Sequence, residues 1–173
     1  FFYRKKVVAV VGGGDTACEE AVYLAHLANK VYLIVRKDYL RASKIMQKRV
    51  MDTPNIDVLF ETQTIGLFGE NSLEGAHLVK AKDTDREEYM DIAIDGFFLA
   101  IGHKPNTDIF LPALHVDENG YIKTIENTTA TNIPGVFAAG DVADPRYKQA
   151  VTAAASGCKA AIDAEKYLIE NEL

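Results

Sequence analysis

The chain has 173 residues, 48% hydrophobic and 25% charged, with a formal net charge of -6. That length suits one good domain or one and a part. The acidic balance argues against a nucleic-acid partner, so any basic patch is local. No apolar stretch is long enough to span a membrane.

The first element is Val7 to Val11, a β-branched run with one alanine, suited to a strand buried on both faces. Gly12-Gly13-Gly14-Asp15-Thr16-Ala17 follows at once and fits G-x-G-x-x-A. Each position has a physical reason. Gly12 lets the chain turn sharply off the strand, and Gly14 lacks a Cβ, so a pyrophosphate can approach the backbone. Ala17 lets the next helix lie close on the sheet. The free N–H groups of the helix start then point at the phosphates, and the helix dipole favours their charge. The helix is expected over Ala17 to Ala28, with Ala17, Ala21, Leu24, Ala25 and Ala28 at helical spacing. Cys18 sits in its first turn, where a thiolate could be favoured, but a small side chain packing near Val22 is the plainer expectation.

Val31 to Val35 reads as the second buried strand, and its end decides which dinucleotide is bound. An NAD site should carry Asp or Glu there for the ribose 2′-OH. This chain has Arg36 and Lys37, then Arg41. Guanidinium groups grip a 2′-phosphate through bidentate, charge-assisted bonds, whereas a carboxylate would repel it. NADP(H) is therefore expected. Lys44, Lys48 and Arg49 continue the basic run but suit a solvated helix, Ser43 to Met51, which stops before Pro54.

Ile56 to Phe60 is the third strand. Thr62 to Phe68, Leu73 to Lys82 and Glu88 to Ile94 then read as an antiparallel meander joined by polar turns. Gly96 to Ile101 is expected to return as a buried strand ending at Gly102. The fold class is α/β: a Rossmann-type three-layer dinucleotide-binding domain over residues 1–102, with a β-meander inserted.

Beyond His103 the pattern thins. A hairpin is expected around Glu118-Asn119-Gly120, and a short buried strand from Val136 to Ala139 should end in Gly140-Asp141. A long helix, Tyr147 to Ile169, follows, with Ala150, Ala154, Cys158, Ala161 and Leu168 on roughly one face. Residues 103–173 supply too few strands for a complete parallel sheet. An unpaired apolar edge is expected to recruit another chain. Cys18 and Cys158 form no C-x-x-C pair, and the four histidines show no metal-ligand spacing.

Taken together, GGGDTACEEA (Gly12 to Ala21), VRK-x-x-x-R (Val35 to Arg41), AIGHKPNT (Ala100 to Thr107) and GVFAAGDV (Gly135 to Val142) resemble bacterial-type, low-molecular-weight thioredoxin reductase over nearly the whole chain. The resemblance implies that residues 1–102 form the NADPH-binding domain, with Gly12, Gly13, Gly14, Asp15, Thr16, Arg36, Lys37, Arg41, Ile101 and Gly102 toward the cofactor. It implies that residues 103–173 are the C-terminal part of an FAD-binding domain. Gly140 and Asp141 would hold the ribityl–phosphate region, and Lys148, Gln149 and Ala150 would form the helix start facing the flavin. The family more often has Arg at the position of Lys148 and at that of Lys37, and commonly His at that of Val35.

In this family NADPH gives hydride to FAD, the flavin reduces a C-x-x-C disulfide, and the dithiol reduces thioredoxin. The resemblance implies a cytoplasmic homodimer with thioredoxin as partner. The redox cysteines should lie just before a segment like Phe1-Phe2-Tyr3-Arg4, so the chain reads as a piece cut from a longer polypeptide and is expected to be inactive alone, with no catalytic residue of its own. Two alternatives share parts of the pattern. One is a related flavoprotein: a thioredoxin-reductase-like ferredoxin–NADP reductase or the reductase of a peroxiredoxin. The other is a nucleotide-binding module without chemistry.

Overall fold

The computed structural model describes residues 1–172, and the chain divides into two compact units, Phe1–Gly102 and His103–Leu173. In the first unit β1 (Val7–Val11), β2 (Lys30–Ile34), β3 (Ile56–Leu59) and β7 (Gly96–Leu99) form a parallel sheet in the order β3-β2-β1-β7. β4 (Thr62–Phe68), β5 (Gly75–Lys80) and β6 (Glu88–Ala93) form a separate antiparallel sheet. Helices α1 (Asp15–Ala25) and α2 (Lys44–Asp52) complete the unit.

The alternation of β1 explains the layering. Val8 and Val10 point into a core with Ala17, Cys18 and Ala21 of α1 and Met46 and Val50 of α2. Ala9, on the opposite face, packs with Ala76, Leu78 and Ile92 of the meander, and Val7 and Val11 join it. A strand so enclosed must be apolar on both faces, which is why VVAVV carries no polar residue. The result is helix, parallel sheet and meander in three layers, the α/β fold expected.

Boundaries differ from the sequence expectation in instructive ways. α1 begins at Asp15 and ends at Ala25, where His26 caps it; Ala28 stays buried, but in the turn that feeds β2. α2 begins one residue later than expected because the Ser43 hydroxyl accepts from the Met46 N–H at 3.4 Å, which makes Ser43 the cap. β7 is shorter than Gly96 to Ile101 and only partly buried: Gly96 and Ala100 are enclosed and Phe97 and Phe98 half-buried, but β7 is an edge strand, and Leu99 and Ile101 are 65% and 66% exposed. The N-terminal segment partly covers this edge. The Tyr3 ring meets Phe98 edge-on at 5.1 Å, and a Cβ on Gly96 would lie 2.4 Å from that ring.

The second unit has a small core of Leu114, Ile122 and Ala138, with Val116 and Ile133 against it. The hairpin around Gly120 is a single antiparallel bridge, Val116 to Ile122. The strand expected at Val136 to Ala139 is absent: only one bridge forms, between Ala130 and Phe137. A strand needs a neighbour along its length, and among the described residues no segment of this unit supplies one. Hydrogen bonds do much of the holding. Asp163 accepts from the Thr129 hydroxyl at 2.7 Å and from its N–H at 2.9 Å, which ties α3 (Ala150–Glu170) to the loop.

α3 starts at Ala150 rather than Tyr147. Tyr147 is held back by Asp144, which accepts from the N–H groups of Arg146 and Tyr147. The helix face that packs within the unit carries Ala153, Ser156 and Tyr167: the Ser156 hydroxyl accepts from the Gly140 N–H at 2.9 Å, and Tyr167 meets Phe137 edge-on. The other face, with Ala150, Ala154, Cys158, Ala161 and Leu168, is exposed.

Candidate functional site

The site is built where β1 ends. The ladder continues one residue past β1, since the Gly12 N–H donates to the Ile34 carbonyl at 3.0 Å. The chain then turns with Gly12 at φ +149°. A Cβ there would lie 2.5 Å from the Ala100 carbonyl oxygen and 2.7 Å from the Ala17 Cβ. So Gly12 serves the turn and the close helix together. At Gly14 a Cβ would meet nothing within 4 Å; the space before the helix is open. Gly14 caps α1 with extended backbone, and no side chain hydrogen-bonds this end of the helix. The first helical amides therefore have room for an anion and no internal competitor for it.

The loop after β2 is stapled to the glycine turn. The Gly13 carbonyl accepts from the N–H groups of Arg41 at 2.7 Å and Ala42 at 3.1 Å. The Asp15 carboxylate accepts from the Ser43 N–H at 2.9 Å. These bonds fix where Arg41 begins, and they engage the Asp15 carboxylate within the protein. Two of the N–H-bonded carboxylates have consequences for acid stability. Donation from Ser43 holds Asp15 below its ordinary 3.8, and donation from the Tyr147 and Arg146 N–H groups lowers Asp144 likewise. A folded carboxyl that binds its proton less tightly than the unfolded one contributes stability above the unfolded value. That contribution is lost as pH falls from 3.8 through the lower folded value. Asp15→Asn should thus flatten the acid limb: its melting temperature should fall less than the wild type's between about pH 5 and about pH 3 in a thermal scan. An unchanged acid limb would show that this staple does not titrate with folding.

A cleft of about 480 Å³ opens at this point. Gly12, Gly13, Arg36, Lys37, Arg41 and Ile101 all line it. Gly14, Asp15 and Thr16 lie at the α1 start, and Gly102 follows Ile101 at φ +97°, but these four do not line the cleft. The three cations are exposed, and among the described residues none forms an ion pair with a carboxylate. Their charge is available to a ligand. Apolar side chains, Ile34, Phe97 and Leu99, line the cleft as well. A cleft that combines free cations with apolar side chains suits a phosphorylated nucleoside.

β4 also lends Thr62, Gln63 and Thr64 to the cleft. No motif marks them. A register shift between Thr64 and Gly66 bends this strand, as bulges beside binding sites do. The Thr64 hydroxyl is buried without a partner. Tyr39 lines the cleft too, and its position between Lys37 and Arg41 is the sequence signal for it. Cys18 is fully buried, and that burial, with Asp15 and Glu19 nearby, pushes its thiol up to about 11. It packs and does not react.

The other candidate residues lie in the second unit. Gly140 takes φ +72° and opens a short 3₁₀ turn, Gly140–Val142, that includes the exposed Asp141. The Lys148 ammonium donates to the Tyr121 hydroxyl at 2.6 Å and lies 5.2 Å from that ring's centre. Gln149 caps α3, its N–H donating to the Thr152 hydroxyl at 3.3 Å, and Ala150 is the first helical residue. Among the described residues no group of His, Cys, Asp or Glu could hold a metal ion, and no helix is long and apolar enough to cross a membrane.

Comparison with known proteins bears on this geometry. The model of the family described as "Pyridine nucleotide-disulphide oxidoreductase" matches residues 3–157. The chain is 51% identical to a thioredoxin reductase of Eremothecium gossypii, over 98% of its own length and 53% of the relative's. It is 50% identical to the mitochondrial thioredoxin reductase 2 of Saccharomyces cerevisiae, over 98% and 49%. The crystal structure of thioredoxin reductase from Streptococcus pyogenes superposes with a TM-score of 0.78 at 33% identity, over 98% of this chain and 54% of that one. The chain thus spans about half the length of the relatives it matches.

Proposed function

We propose, because this chain belongs to the pyridine nucleotide-disulphide oxidoreductase family, that it is the NADPH-binding part of a thioredoxin-disulfide reductase, joined to part of that enzyme's FAD-binding domain. The observation that carries the reading is the meeting of Arg36 and Arg41 with the Gly12-Gly13 turn on one cleft. Residues 1–102 are on this reading the NADPH-binding domain. Residues 103–173 are the C-terminal part of the FAD-binding domain.

The residues present fit the cofactor. Arg36, Lys37 and Arg41 would hold the 2′-phosphate, with the acid of an NAD site missing. The amides of Asp15 and Thr16 would hold the pyrophosphate across the open space at Gly14. Ile101 and Gly102 would border the cofactor from the β7 side. NADPH, when bound, supplies a hydride to the complete enzyme. The protein's work at this site is to bind and orient; no side chain lining the cleft is placed here in the role of acid, base or nucleophile. In the second unit Gly140 and Asp141, with Lys148, Gln149 and Ala150, would contribute to FAD. The positive-φ turn at Gly140 and the exposed carboxylate of Asp141 are compatible with that role.

Thioredoxin as substrate, a homodimeric assembly and a cytoplasmic site belong to the same proposal. The exposed apolar residues of α3, Val151, Ile162, Leu168 and Ile169, support association with a further surface. The 173 residues themselves hold no C-x-x-C. Mixed with FAD, NADPH and an aromatic disulfide, they should leave the NADPH absorbance flat while still binding NADPH in a calorimetric titration. Steady oxidation would mean that a redox centre lies elsewhere in the chain; no binding would overturn the reading of the cleft.

A further inference from the structure

Lys37 and Tyr39 are two residues apart on the loop after β2, and both line the cleft. The Lys37 ammonium donates to the Tyr39 hydroxyl at 2.9 Å and lies 5.1 Å from the centre of its ring. A lysine is a point charge on a flexible stem, and holding it still costs rotamer freedom that a planar guanidinium loses less of per bond. Here the phenol supplies the restraint. It does so without neutralising the charge, as an acid would.

The hydroxyl has a second capacity. Its oxygen accepts from Lys37, so its own O–H remains to donate. A phenol polarised by a neighbouring ammonium is a stronger donor, since hydrogen bonds in a chain reinforce one another. Tyr39 is 50% exposed, and nothing among the described residues accepts from it. Its neighbours in the cleft, Arg36 and Arg41, are cations, so the ligand group that suits this donor is an anion.

We infer that Tyr39 is a specificity-determining residue of the cleft: it fixes the Lys37 ammonium and presents its own O–H to the 2′-phosphate that Arg36 and Arg41 bind. The inference rests on reading the cleft as an NADPH site. The pair then does with lysine and tyrosine what a second arginine would do with one fork.

Tyr39→Phe keeps the ring over Lys37 and removes only the hydroxyl. Titrating the whole chain, Tyr39→Phe should bind NADPH about threefold to tenfold more weakly, with NADH affinity unchanged. Lys37→Ala should lose a similar factor, and the double variant should lose less than the product of the two, because the residues act as a unit. An unchanged NADPH-to-NADH ratio in Tyr39→Phe, or losses that simply multiply, would overturn the inference. Arg36→Glu, measured alongside, separates the two levels. If it is selective for NADPH while Tyr39→Phe is not, only the role of Tyr39 falls. If it weakens both cofactors equally, the reading of the cleft falls.

Discussion

Replacing Arg36 with glutamate is expected to weaken NADPH binding about a hundredfold or more while changing NADH binding by less than about threefold. Arg36 stands two residues past the end of β2, exposed on the cleft, and among the described residues it has no carboxylate partner. Each charge-assisted bond it makes to a phosphate contributes about 1.5–3 kcal/mol before screening. The substitution removes those bonds and sets a negative charge against a group that is itself about doubly negative. Because the side chain is exposed, the fold should be untouched, and the NADH titration serves as the internal control. The preference for NADPH should also shrink as salt is raised, since exposed charges are screened over about 10 Å at 0.1 M. Equal losses for the two cofactors in calorimetry would rule out a 2′-phosphate contact.

The second large effect separates two glycines of one turn. Gly12→Ala should destabilise the first unit by about 3–5 kcal/mol, from overpacking and backbone strain together. The new Cβ would sit 2.5 Å from the Ala100 carbonyl and 2.7 Å from the Ala17 Cβ, at φ +149°. Both obstacles are backbone or the root of a side chain, so neither can swing aside. Gly14→Ala should leave the fold within about 0.5 kcal/mol, because its φ of -92° suits alanine and its Cβ meets nothing. Yet it should weaken the nucleotide, whose pyrophosphate must come close at that position. Denaturant unfolding beside NADPH titration tests the pair. A stable Gly12→Ala variant, or full affinity in Gly14→Ala, would mean that the roles of the two glycines have been misassigned.

Much of this was open to inspection in the sequence because it depends on local chemistry. The run VVAVV is suited to a strand enclosed on both faces, and it forms one. Three glycines between that strand and an alanine-rich helix implied a close turn, and Arg36 after the second strand implied a cleft without an acid. Long-range partners were not legible. Val136 to Ala139 has the composition of a strand, yet strand formation depends on a neighbour, which composition does not report. Gly96 to Ile101 is apolar throughout, yet Leu99 and Ile101 are exposed, because apolar residues also line clefts and edges.

What the sequence determined by itself, then, is the order of elements and the charge at the end of β2, since periodicity and a missing acid are properties of adjacent residues. Which distant residues share the cleft depends on the packing of the folded chain. The Gly13 carbonyl and the Asp15 carboxylate draw in the 41–43 loop, and a bulged β4 brings Thr62 to Thr64 alongside Arg36 and Phe97. Those contacts join residues far apart in the chain. Their geometry follows from how the meander packs on the parallel sheet, which no spacing along the sequence encodes.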